Sequence, residues 1–152
     1  MKKVDVRALL LAGVAAGLIA WVTALGFYGD FPPIKPIAST LLWIFAAVCA
    51  VAGYVIRRRI AGGEVGMDTS QLNPVVVAQW LILGQAVAWI GAVLAGVYVG
   101  IGAYVLPHAG DLVAAEQDVP GVIAGALGAV AAAVAGVWLE RGCEAPPPNA
   151  AM

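Results

Sequence analysis

The sequence predicts an all-α, polytopic membrane protein of four transmembrane helices with the N- and C-termini in the cytoplasm. Three observations carry this: the composition, the spacing of the apolar runs and the placement of basic residues. Of 152 residues, 62% are hydrophobic and 11% charged, and the mean hydropathy is +0.95. A soluble domain carries about 25% charged residues. Four apolar runs, at 8–28, 37–56, 75–106 and 121–139, reach the length of about 17–25 residues that a bilayer core demands, and the third exceeds it. Lys2, Lys3 and Arg7 precede the first run, Arg57, Arg58 and Arg59 follow the second, and Arg141 follows the fourth. Lys35 stands alone on the other side, so the positive-inside rule puts both termini in the cytoplasm.

The first run, Ala8–Tyr28, is uncharged and longer than the h-region of about 7–15 residues in a signal peptide; no A-x-A site follows, so it reads as an uncleaved anchor. "GDFPPIKP" then forces an extended reversal, because proline excludes helix at itself and at the residue before it. The second run, Ile37–Ile56, stops at Arg57. "AGGEVGMDTSQLNP" is a Gly-rich polar loop whose Asn73-Pro74 suits the N-cap and first position of the third helix. That helix, Val75–Leu106, would be about 48 Å long at about 1.5 Å per residue, against a core of about 30 Å. With no internal proline it reads as one helix that tilts or projects. Pro107–Pro120, with Asp111, Glu116 and Asp118, is the second external loop, and Gly121–Leu139 is the fourth span. A single four-helix domain thus covers residues 1–142, and 143–152 is a short Pro-rich cytoplasmic tail expected to be disordered.

Small residues recur along every span. On the third, Gly84, Ala88, Gly91, Ala95, Tyr98 and Gly102 share one face at alternating spacings of four and three. Gly84, Ala88, Ala92, Gly96 and Gly100 form a second row at a constant spacing of four. The fourth span repeats the theme with Gly121, Gly125, Gly128, Ala132 and Ala135. Burial from water cannot drive helices together in lipid, so close backbone approach and dispersion must, and small residues permit both. These seams are expected to hold a four-helix bundle together, and one is free to face a second protein or a second copy.

The apolar runs contain no Asp, Glu, Lys, Arg or His. Ionisable groups at membrane depth are what proton-coupled transport, ion pumping and intramembrane proteolysis require, so the expectation is no catalytic residue, no cofactor and no metal. Two cysteines and one histidine make no closed zinc site. Cys49 lies mid-membrane, whereas Cys143, in the tail, is open to modification in principle. His108 sits near Asp111 in the outer loop. Gln79 and Gln85 are the polar residues of the third span; about 120° apart on the helix, they form no common pocket, and Gln85 is placed to hydrogen-bond across to a neighbouring helix. Arg57, Arg58 and Arg59 enforce topology and meet anionic lipid headgroups.

"LNP" opening the long helix, "IGAVLAGVYVG" within it and the closing "WLERGCEAPP" resemble an actinobacterial membrane family, domain of unknown function 3180. "GDFPPI" and "RRRI" extend the resemblance over nearly the whole chain. The most specific element is the tail motif matched by Leu139, Glu140, Arg141, Cys143, Pro146 and Pro147. In many members Arg stands at the position of Gln79, Lys at Gln85 and Ser at Val87, so this chain is neutral where relatives are cationic. The resemblance implies a four-span plasma-membrane protein and brings no activity with it. The expected role is a non-enzymatic assembly or accessory subunit, with the bilayer and another envelope membrane protein or a homo-oligomer as partners and no nucleic acid. A small-solute transporter or channel component using Gln79 and Gln85 is the alternative.

Overall fold

A computed structural model describes residues 3–63 and 73–144. It contains α1 (Val6–Phe27), 3₁₀ turns at Tyr28–Asp30 and Pro36–Ser39, α2 (Thr40–Ala61), α3 (Pro74–His108) and α4 (Val113–Gly142). All four helices are long and apolar enough to cross a membrane, and no strand occurs among the described residues.

Local chemistry sets the helix ends. Asp5 caps α1 by accepting the Arg7 N–H at 2.9 Å, and Asn73 caps α3 by accepting the Val75 N–H at 3.0 Å with Pro74 at the first position. α2 runs on past its apolar run through Arg57, Arg58 and Arg59 to Ala61. Arginine is a good helix former, and cations in a last turn complement the carbonyl end of the helix dipole. Gly63, at φ 69°, then occupies the left-handed region that ends the helix.

The expected loop over Pro107–Pro120 shrinks to residues 109–112, and α4 starts eight residues before its apolar run. Ala114, Ala115, Glu116 and Gln117 are helix-compatible, and hydropathy sets the lipid-facing length of a helix without setting its end. Pro107 and Pro120 both lie inside helices, each removing one N–H from the hydrogen-bond ladder. The tight turn is closed by the N–H groups of Asp111 and Leu112, which donate to the His108 carbonyl at 3.0 and 2.9 Å.

The helices touch in the order α1–α3–α4–α2, an open series in place of the expected closed bundle. α3 and α4 form the central pair, α1 lies on the far side of α3, and α2 lies against α4 and barely reaches α3. No described Cα of α1 comes within 8 Å of one in α2 or α4. The reason lies in where the small residues sit: α3 spends one row on α4 and the other on α1, so its two partners are held on different faces. One apolar cluster, with Cys49, Ile56, Val77 and Leu139, lies toward the end that bears both termini. The other, with Ile101, Val105, Ala115 and Val122, lies toward the opposite end.

Candidate functional site

The glycines of the long helix are placed by what a side chain there would strike. A Cβ on Gly84 would lie 3.0 Å from the Glu140 nitrogen and the Gly136 carbonyl oxygen, and one on Gly91 would lie 2.5 Å from the Ala133 nitrogen. A Cβ on Gly136 would come 2.5 Å from the Ala88 nitrogen, and one on Gly102 would sit 3.1 Å from Val122. Gly84, Ala88, Gly91 and Gly102 therefore face α4. Ala95, from the same row, is half-buried at the edge of that contact. The later part of the second row, Ala92, Gly96 and Gly100, faces α1: a Cβ on Gly96 would overlap the Gly13 carbonyl oxygen, and one on Gly100 that of Gly17. On α4 the predicted residues divide among three neighbours. Gly121 lies against the Ile34 carbonyl, Gly125 under the Tyr98 ring of α3, and a Cβ on Gly128 would stand 3.0 Å from the Trp43 Nε1 of α2.

Polar chemistry gathers at the two ends of α4. Glu140 is 2% exposed; its Oε1 accepts the Val4 N–H at 2.8 Å and the Gln85 side-chain amide at 3.1 Å. Lys3 pairs with Glu144 at 2.8 Å beside it. Gln85 is thus an interhelical hydrogen-bonder from α3 to α4, while Gln79 lies exposed near the start of α3, and the two line no common path. At the far end Asp118 is 6% exposed, with one carboxyl oxygen accepting the Tyr28 hydroxyl at 2.6 Å and the other the Ile34 N–H at 2.9 Å. Each carboxyl gathers a segment that is not helical, the N-terminal residues at one end and the α1–α2 connector at the other. A hydrogen bond to a charged partner is worth about 1.5–3 kcal/mol, and leaving a buried donor unmet costs about 1–3 kcal/mol.

The hydropathy reading leaves both acids outside its spans, Asp118 in a loop and Glu140 in a tail motif. Helical periodicity was the available signal: Asp118 shares a face with Gly121 and Gly125, and Glu140 with Gly136, so the packing face extends beyond the apolar run at both ends.

The other candidates fall as follows. Arg57 stacks on Trp138, its guanidinium carbon 3.9 Å from the ring centroid, so it braces α2 against α4, while Arg58 and Arg59 are exposed. Cys143 is buried, its thiol pushed up to about 11 by desolvation, contrary to the expectation of an open tail thiol. It shares the apolar cluster around Leu139 with Cys49, and both are free. Arg141 is exposed in the last turn of α4. Pro146 and Pro147 lie outside the described residues. His108 does not meet Asp111: its Nδ1 donates to the Tyr104 carbonyl at 2.7 Å and its ring stacks on Tyr104 at 4.4 Å. Tyr104 in turn lies 4.9 Å from the Tyr28 ring.

No curated protein and no solved structure matches the chain. A family model described as Protein of unknown function (DUF3180) matches residues 9–147, and the chain belongs to that family.

Proposed function

We propose that this multi-pass membrane protein is a non-enzymatic accessory subunit of the plasma membrane, with both termini cytoplasmic, that assembles with another envelope membrane protein or with a second copy. The observation that carries this reading is the open series itself. Because α1 touches neither α2 nor α4, much of the central α3–α4 pair is uncovered by protein, with Ile90, Val93, Ile123 and Leu127 exposed on it. Lateral packing of another helix on such a face needs no rearrangement. The buried polar groups support a scaffolding role, since Glu140, Gln85, Asp118 and Tyr28 join one segment of the chain to another. The orientation rests on charge: Lys3, Arg7, Arg57, Arg58, Arg59 and Arg141 gather at the end bearing the termini, and Lys35 is at the other.

Crosslinking in native membranes followed by blue-native separation in mild detergent tests the assembly. A discrete complex larger than one chain is expected, with its second component identified by mass spectrometry. A strictly monomeric particle with nothing crosslinked to it would overturn the reading.

A further inference from the structure

α1 and α4 are joined at both ends and apart in between. Glu140 of α4 holds Val4 just before α1, and Asp118 of α4 holds Tyr28 just after it. Between these ties α3 alone bridges them. The gap is a groove of about 720 Å³, walled by residues such as Leu10, Val14 and Leu18 of α1 and Val134 of α4, with Ala95 and Val99 of α3 as its floor. From Val6 to Trp21 it runs about 22 Å at about 1.5 Å per residue, more than the roughly 15 Å of hydrocarbon in one leaflet.

One cationic group enters this lining. Arg141 borders the groove at the end bearing the termini, and it is exposed. The carboxyls nearest it in sequence are engaged elsewhere, Glu140 with Val4 and Gln85 and Glu144 with Lys3, and Arg141 forms no ion pair among the described residues. A guanidinium at the mouth of an apolar channel matches a molecule with one long hydrocarbon arm and a phosphate at its end, since arginine recognises phosphate through paired N–H donors. A purely apolar helix laid in the same groove would leave that charge uncomplemented.

We infer that the α1–α3–α4 groove is a binding site for an anionic phospholipid, its acyl chain lying along the groove and its phosphate on Arg141. The inference is independent of whether the chain assembles with a protein partner.

The test is native mass spectrometry of the full chain equilibrated in mild detergent with equimolar phosphatidylglycerol and phosphatidylcholine, with thermal melting of each variant as the folding control. One retained phosphatidylglycerol is expected, favoured over phosphatidylcholine by about fivefold, the effect of one basic residue at an anionic surface. Arg141→Gln should bring the two lipids to parity and Arg141→Lys should keep most of the preference. Val99→Phe should lower retention of both by narrowing the channel. Arg58→Gln with Arg59→Gln, on exposed positions away from the groove, should change nothing. The inference fails if the wild type shows no preference, if the preference follows Arg58 and Arg59 and survives Arg141→Gln, or if a polypeptide is found crosslinked into the groove in place of lipid.

Discussion

Gly96→Ala should unseat α1 from α3. The added methyl would land on the carbonyl oxygen of Gly13, and a backbone atom cannot swing aside as a flexible side chain can. Overpacking of this kind costs about 1–3 kcal/mol. Alanine returns about 0.5–1 kcal/mol through its better helix propensity, which leaves a net loss of up to about 2.5 kcal/mol. The structure also supplies internal controls. A methyl at Gly13 or Gly17 would stand 3.0 Å from the Ala92 or Gly96 carbonyl oxygen, a contact relieved by a shift of a few tenths of an ångström, so those variants should lose less. Gly26 in the same helix has nothing within 4 Å of its would-be Cβ, and Gly26→Ala should be neutral or slightly stabilising. The assay is reversible unfolding of the purified protein in mixed micelles by increasing mole fraction of a denaturing detergent. The expected order of loss is Gly96, then Gly13 and Gly17, then Gly26. Gly96→Ala proving as stable as Gly26→Ala would refute the α1–α3 contact.

Glu140→Ala leaves the part-buried Val4 N–H without its acceptor and removes the bond from Gln85, and should cost about 1–3 kcal/mol by the same unfolding assay. Glu140→Gln, which keeps an oxygen in place, should cost less than half as much. Tyr28→Phe removes one hydrogen bond to Asp118 while its ring contact with Tyr104 remains, a loss of about 1–2 kcal/mol that should shrink in an Asp118→Ala background, whereas an equal loss in both backgrounds would mean that the two residues do not interact. Cys143, with its thiol at about 11, should resist alkylation at neutral pH in the folded protein and react freely once unfolded, where a thiol titrates near about 8.5. Because the folded state favours its neutral form, this residue's contribution to stability is whole below about pH 8.5 and is lost as the pH rises toward 11. Rates measured with a maleimide across that range check both statements.

The four spans, the Asn73-Pro74 cap and the α4-facing row of Gly84, Ala88, Gly91 and Gly102 are legible in the sequence because each rests on local spacing or turn chemistry. The two overlapping rows on α3 are legible too, but a single helix cannot say which partner takes which row. Here α4 takes the four-three row and α1 the Ala92, Gly96, Gly100 row, and that division makes an open series of helices where small residues on every span predict a closed bundle. The buried acids are hidden for a different reason. Hydropathy ends a span where charge begins, so Asp118 falls to a loop and Glu140 to a tail, although both continue the packing face of α4 by helical phase. Cys143 follows the same logic: α4 carries on to Gly142 and buries the residue after it.

α4 holds the N-terminal residues and the α1–α2 connector by one carboxyl at each end. Amide hydrogen exchange of the protein in nanodiscs, resolved at Val4 and Ile34, tests it most directly, because both amides lie outside the helices and gain protection chiefly from Glu140 and Asp118. Both should exchange slowly in the wild type. Glu140→Ala should release Val4 and spare Ile34, and Asp118→Ala should do the reverse. Rapid exchange at both amides in the wild type, or protection unmoved by either substitution, would mean that these carboxyls do not hold the two segments.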